Sequence, residues 1–330
     1  MYKKNSDKKS DEQTDETWNK IETILVKENG LYPLFRNALE NVDKPDIDVL
    51  AVTAGPGLEP ALWVGISFAL ALGTLWQLPV IPVNHMEGHI ASVLMKNTVR
   101  FPALALLISG GHTEIVSVAG WGQYKVVGQT RDDAVGEAFD KVARLLGLPY
   151  PGGPKISHLA DIARARIATG DMTKTVTLPR PMIHSDNLDF SFSGLKTAVL
   201  YYIRDYVRDH ASDSQEKSDP LPADIKTDIA REFEDVVTDV LLAKTTQALD
   251  ETGAQTLIVA GGVISNKKLR ETFLALEDER ADLRVSVPLR DFTTDNAVMI
   301  ACAGYVQTEL HPELLSGPQK NIIAQGNLKL

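Results

Sequence analysis

One pattern limits what this chain can fold into more than any other. A short aliphatic, β-branched run ends in a glycine or proline turn, a helix-period segment follows, and another such run comes next. "IDVLAVTAGPG" leads into the nearly all-apolar "ALWVGISFALALGTLWQ" and then into "LPVIPV", while "TLIVAGGVISNKKLRETF" leads into "LRVSVP". Continuous apolar runs of this length, punctuated by Gly and Pro, read as strands buried on both faces. Strands that alternate with helices need crossovers, which makes the class α/β. At 330 residues the chain is long enough for two compact domains.

The texture differs from place to place. Ile21, Leu25, Leu34 and Leu39 keep helical spacing, interrupted by Gly30, so a helix pair is expected from about residue 20 to residue 41. "PALALLISGGHTEIVSVAG" places Ser109, Gly110 and Gly111 between two apolar runs, a hairpin signal and the start of a second domain. Helices are expected at about 133–146, 157–169 and 195–207, with a polar, proline-bearing loop in "HASDSQEKSDPLPAD". Ile225, Ile229, Phe233, Val236, Val240 and Leu241 mark one face of a long helix. The helix after "GGVIS" is expected to be capped by Ser265 or Asn266, and that in "TTDNAVMIACAGYVQ" by Thr294 or Asp295.

Composition excludes several functions. Gly, Pro, His or Gln breaks each apolar stretch before a membrane span is reached, which argues against a membrane role. The mixed-charge start "MYKKNSDKKSDEQTDETWNK" lacks the apolar core of a secretory signal and reads as a solvated tail. Cys302 is the sole cysteine, so no internal disulfide forms and a reducing cytoplasm is expected. A net charge of -10 opposes general affinity for polyanions, so nucleic acid would need a local basic patch, for which Arg164, Arg166, Lys174 and Arg180 are candidates.

Chemistry concentrates at a few positions. His85 and His89 in "VNHMEGH" are four apart, so on a helix their rings share a face and can chelate one ion; two helix histidines near a surface are the alternative. Glu87 falls on the opposite side, which removes the general base that a zinc protease needs. Asp295 is the best-placed third ligand, with an N-cap as its plain alternative. Two histidines and one carboxylate suit iron or zinc with open positions. The pairs Gly110/Gly111, Gly152/Gly153 and Gly261/Gly262 sit at turns where backbone N–H groups can approach phosphate. Without a GxxxxGK[ST] loop they point to a nucleotide held between domains. Asp140 lies beside Phe139 and before the stripe Val142, Leu145, Leu146, which suits a pocket carboxylate binding ribose hydroxyls.

"TAGPGL", "HMEGH", "LLISGGHTEIV", "DDAVGEAFDKVARLLGLPYPGGP", "FSFSGLKTAV", "VAGGVISNKKLR" and "TTDNAVMIACAGY", in this order, closely resemble the universal tRNA threonylcarbamoyladenosine transferase family, formerly termed O-sialoglycoprotein endopeptidases. The resemblance runs from about Asp46 to Val306. It implies an actin-like ATPase fold of two RNase H-like lobes with the nucleotide-type ligand between them. It also implies transfer of threonylcarbamoyl from threonylcarbamoyl-AMP to N6 of adenosine 37 in tRNA. Matched residue by residue, the family's metal ligands fall on His85, His89 and Asp295, holding one divalent ion, Fe2+ or Zn2+. Its adenylate-binding positions fall on Leu107, Ile108, Ser109, Gly110, Gly111, Asp140, Gly153 and Asn266. No residue is assigned as general base.

The family opens with strands carrying a segment like ETSCDDT, which has no counterpart before "IDVLAVTAGPG". The first lobe is therefore expected to lack its N-terminal strands, through loss of an upstream segment or completion by a partner. The expected division is a charged tail over 1–19, a partial first lobe over 20–103, a second lobe over 104–292, and a C-terminal helix with tail over 293–330 that returns to the first lobe. Partners implied by the resemblance are tRNA, a paralogous heterodimer subunit and a small ATPase. The competing functions are a non-catalytic nucleotide-binding scaffold and, further off, a metallopeptidase.

Overall fold

The computed structural model describes residues 4–28, 30–210, 221–316 and 321–330, with side chains from Asp15 onward. In chain order the elements are α1 (Lys4–Leu25), α2 (Leu31–Leu39), β1 (Leu50–Gly55), α3 (Glu59–Trp76), β2 (Val80–Asn84), α4 (His85–Ala91), β3 (Ala103–Ile108), β4 (Thr113–Gly120) and β5 (Gln123–Gln129). There follow α5 (Val135–Leu145), α6 (Gly152–Thr169), α7 (Ser193–Asp209), α8 (Ala223–Thr252), β6 (Thr256–Ala260), α9 (Lys267–Glu279), β7 (Arg284–Ser286) and α10 (Ala297–Leu310). The chain forms two units, residues 1–92 with 296–330 and residues 93–295.

In the first unit β1 and β2 run parallel, with Leu50 opposite Val80 and Thr53 opposite Val83. The crossover helix α3 buries Ile66, Ala69 and Ala71. Gly73 lets it close on the sheet, because a Cβ there would lie 2.6 Å from Val80 Cγ2. Ahead of it, Trp18, Ile21 and Leu25 of α1 pack with Phe35 of α2 and Ala71 of α3. The helix pair is joined through Gly30 at φ 78°, a left-handed conformation suited to glycine. α10 returns to β1 at Gly304, where a Cβ would meet Ala51 Cβ at 2.7 Å. On the other edge of β1, the Gln325 N–H donates to Ala54 O at 2.8 Å.

The second unit holds a five-stranded sheet ordered β5-β4-β3-β6-β7. β3, β4 and β5 form an antiparallel meander, and β6 and β7 continue parallel to β3. All six residues of β3 are buried, as befits a central strand that pairs on both sides. α8, 30 residues long, runs over this core with Ile229, Phe233, Val236, Val237, Val240 and Leu241 fully buried. The pair β6 and β7 with its crossover α9 repeats the arrangement of β1, α3 and β2. Among the described residues, the first unit has this parallel pair and no counterpart of the meander. β1 is correspondingly only half-buried from Leu50 to Thr53.

Several expectations are corrected. Residues 4–19 belong to helix α1, and Trp18 is buried, so the helix reaches into the stretch read as a tail. The second unit begins at Val93, ahead of the expected 104, because the Arg100 N–H donates to Thr256 Oγ1 and the Thr256 hydroxyl donates back to Arg100 O. It ends at Asp295, three residues past the expected 292. α3 is long and apolar enough to cross a membrane by length and composition, since its glycines interrupt the run only weakly. β5 escaped the sequence reading, although Tyr124 and Val126 alternate after a turn through Gly122 at φ 74°. Most of the loop expected over 210–224, residues 211–220, lies outside the described residues.

Candidate functional site

α4 begins directly after β2, with Asn84 as its cap: the Asn84 side chain accepts from Met86 N–H at 2.8 Å. That start puts His85 and His89 on one face, with ring centroids 4.8 Å apart and an interplanar angle of 79°. His89 is buried, and His85 half so. α10 lies against α4 at Gly88, where a Cβ would meet Ile300 Cδ1 at 2.8 Å. The cap of α10 is Asn296, whose side chain accepts from Met299 N–H at 3.0 Å. The expectation of Thr294 or Asp295 as cap is thus corrected. The helix starts at Ala297, so the capping position falls on Asn296.

One ligand atom each from His85, His89 and Asp295 lies within 4.8 Å of the others. Donors bound at about 2.1 Å to one ion stand about 3 to 4 Å apart, so a spread of no more than 4.8 Å is close to that of a bound site. Two imidazoles and a carboxylate are a donor set for Zn2+ or Fe2+. Glu87 points elsewhere and accepts from Gln307 Nε2 at 2.9 Å. Burial raises its pKa, while the bond from Gln307 works the other way.

In the second unit, the turn between β3 and β4 is closed by the Ser109 N–H donating to His112 O and the His112 N–H donating to Ser109 Oγ. Gly110 and Gly111 form its exposed tip. Neither adopts a left-handed φ, and a Cβ on either would meet nothing within 4 Å. Nothing in the folded chain therefore requires glycine at these two positions, which is the pattern of a backbone kept bare for a ligand. Gly136 behind them is different: its Cβ would lie 2.8 Å from Ser109 O and 2.9 Å from Gly110 Cα. The Leu107 and Ile108 side chains are buried, so only their backbone could serve a ligand.

Asp140 meets Gly152, the neighbour of Gly153, at the start of α6. Asp140 Oδ1 accepts from the Gly152 N–H at 2.7 Å, so one carboxylate oxygen is committed to the fold. A Cβ on Gly152 would strike Ala143 Cβ at 2.5 Å, whereas one on Gly153 would face open space. The first glycine of the pair is there for packing, and the second is free to border a ligand. Lys141 bridges Asp133 and Glu137 at 2.7 Å each, the solvated pairing expected of that helix face. Asn266 caps α9, its Oδ1 accepting from Leu269 N–H at 3.0 Å. Its Nδ2 donates to Ser157 Oγ at 2.7 Å and to Glu234 Oε1 at 2.6 Å.

Sequence reasoning missed Glu234, since a carboxylate in the middle of a long helix carries no signal of burial. Asp132 was missed too. It accepts from the Ser191 and Ser193 hydroxyls at 2.5 and 2.7 Å and from the Phe192 N–H at 2.8 Å, tying the "FSFSG" loop to the start of the α5 segment. Its partial burial raises the pKa, but these bonds prevail and hold it below the usual aspartate value. The only sequence signal was the acidic doublet in "DDAVG", since the serines it holds lie about sixty residues further on.

The basic patch fails. Arg164 pairs with Glu234 and Asp235, Arg166 with Asp224, and Arg180 with Glu232 and Asp239. Three of the four cations expected to attract phosphate are neutralised at short range. A cavity of about 560 Å³ in this unit, bordered by Lys174, Arg180 and Arg231, contains none of the residues expected to hold the ligand.

A turn bared of side chains, with Asp140 and Asn266 in the same unit, belongs on an RNase H-like sheet of the type found in actin-like ATPases. A solved structure of full-length HypF in a phosphate- and nucleotide-bound form shares the fold at TM-score 0.54 and 14% identity, over 85% of this chain and 41% of that one. The family model for TsaD, tRNA N6-adenosine threonylcarbamoyltransferase, matches residues 28–302, and the chain belongs to this family. A relative of that name from Neisseria meningitidis is 48% identical over 271 residues, covering 78% of this chain and 73% of its own. Another from Chromobacterium violaceum is 47% identical over 277 residues, covering 82% and 76%.

Proposed function

We propose that the chain transfers threonylcarbamoyl from threonylcarbamoyl-AMP to N6 of adenosine 37 in tRNA. His85, His89 and Asp295 would hold one divalent ion, iron or zinc. Leu107, Ile108, Ser109, Gly110, Gly111, Asp140, Gly153 and Asn266 would border the adenylate. The observation that carries this reading is the meeting of two histidines and a carboxylate far apart in sequence, in a chain of the TsaD family.

In the reaction N6 attacks the carbonyl carbon, a C–N bond forms, the bond from that carbon to the phosphate oxygen breaks, and AMP leaves with the electron pair. The N6 proton passes to solvent, no side chain being assigned to it. Because AMP is a good leaving group, the chain's task is to present a weak aromatic nucleophile to the carbonyl. The bare N–H groups at Gly110 and Gly111 would receive the phosphate, and the second oxygen of Asp140 would accept from a ribose hydroxyl. A bound divalent ion would supply Lewis acidity toward the oxygens of the acyl group.

With a net charge of -10 and the four-residue patch largely neutralised, tRNA capture is assigned to a partner's surface, the paralogous subunit and small ATPase being the candidates. The half-buried β1 favours one second reading, a scaffold that retains the fold without turnover. Purified protein supplied with threonylcarbamoyl-AMP, Fe2+ or Zn2+, tRNA and the companion proteins separates the two. Modified adenosine and its loss in His85→Ala support the transferase. An unmodified tRNA together with a metal-free protein supports the scaffold.

A further inference from the structure

Glu234 is a buried carboxylate, 1% exposed, at the middle of α8, and the proposed chemistry does not use it. Its Oε1 accepts from Ser157 Oγ of α6 at 2.8 Å and from Asn266 Nδ2 at the head of α9 at 2.6 Å. Its Oε2 accepts from Arg164 at 2.5 Å. One side chain thus ties three helices together at the point where Asn266 is held.

An asparagine amide has two N–H hydrogens and one oxygen with two lone pairs. Asn266 Nδ2 faces Glu234 Oε1 and Ser157 Oγ, which stand 2.8 Å apart on one side of the amide, and one lone pair of Oδ1 is taken by the Leu269 N–H. A carboxylate can only accept, so Glu234 requires the NH2 end of Asn266 to face it. The cap at Leu269 independently requires the oxygen end to face α9. The amide cannot turn over without breaking both. The NH2 end is thereby turned toward the buried Glu234, and the second lone pair of Oδ1 is left for a ligand.

We infer that Glu234 is a positioning residue that locks the Asn266 amide so that it presents an acceptor, Oδ1, to a donor group of the bound nucleotide, an exocyclic amine or a ribose hydroxyl. The inference rests on the nucleotide reading given above. The alternative, in which Asn266 Nδ2 donates to the ligand, is the reading the test separates from it.

The test uses AMP as probe in titration calorimetry on the full chain, with thermal melts of each variant. Asn266→Asp keeps the cap and the acceptor but sets a second carboxylate against Glu234; AMP binding should weaken about tenfold or more, as expected when a hydrogen bond to a buried charge becomes a repulsion. Adding Glu234→Gln supplies an NH2 that can donate to the carboxylate introduced by Asn266→Asp, and the double variant should return to within about threefold of wild type. Glu234→Gln alone should weaken binding only by about threefold, because Arg164 keeps Asp235 at 2.6 Å. If the double variant recovers its melting temperature but binds AMP as weakly as Asn266→Asp, then Nδ2 is the ligand contact and the inference is overturned. If Asn266→Asp does not fold, an undiminished AMP affinity in both Glu234→Gln and Glu234→Ala overturns it equally. Wild-type protein that binds no AMP removes the nucleotide reading and this inference together, an outcome distinct from the others.

Discussion

Gly136→Ala separates the packing role of one glycine from the ligand role of its neighbours. The added methyl carbon would sit 2.8 Å from Ser109 O and 2.9 Å from Gly110 Cα, both backbone atoms of the turn proposed to hold phosphate. Ordinary contacts of these kinds are about 3.3 and 3.8 Å, so the turn or α5 must move by roughly 0.5 to 0.9 Å; overpacking on this scale costs about 1–3 kcal/mol. Alanine returns a few tenths of a kcal/mol through helix propensity, less than its mid-helix value because position 136 lies in the first turn of α5. A net loss of about 1–2 kcal/mol lowers the melting temperature by about 2–8 °C in a domain of this size. Gly110→Ala is the comparison, since its Cβ meets nothing and its φ is unremarkable. It should leave the melting temperature within about 1 °C, a surface change away from special features, while weakening AMP binding. Calorimetric melting and AMP titration of both proteins read this out. Equal melting temperatures for Gly136→Ala and wild type, or unimpaired AMP binding in Gly110→Ala, would refute the division between a packed glycine and a bared one.

Arg231, 2% exposed, pairs with Asp228, Glu232 and Asp235; Arg231→Met should cost about 3 kcal/mol in chemical denaturation, the low end for breaking a buried pair because each acid keeps another donor. Asp132 has a depressed folded pKa, so its stabilisation is present above its unfolded value of about 3.8 and is lost as pH falls through the lower folded value. Hydrogen exchange at Phe192 and Ser193 should quicken in that acid range in wild type and be quick already at pH 7 in Asp132→Asn; an unchanged pH profile counts against the anchor. Purified protein incubated with Zn2+ or Fe2+ and desalted should retain about one ion per chain, and His89→Ala or Asp295→Ala should retain far less. Equal retention in all three proteins would remove the metal site.

The sequence carried the metal trio further than the rest of the site because its signals are local. Four-residue spacing on a helix puts His85 and His89 on one face whatever surrounds them, and the helix-start chemistry around Asp295 marks the other end. Their meeting, however, depends on Gly88 and Gly304 admitting α10 to α4 and β1, and room left for a neighbour's side chain leaves no periodic trace in a sequence. The glycine pairs show the same limit from the other side. Gly152 and Gly153 are neighbours of one residue type, yet the first is fixed by Ala143 and the second by nothing in the chain, a distinction that exists only once α5 and α6 are packed. Charge was the least legible. Arg164 and Arg180 read as a surface for phosphate because their partners lie on α8, more than fifty residues away, and pairing of that range is written in no spacing rule. The same long-range pairing buries Glu234 and fixes the orientation of Asn266, so an apolar stripe read correctly on α8 still concealed the polar groups that give this helix its bearing on the site.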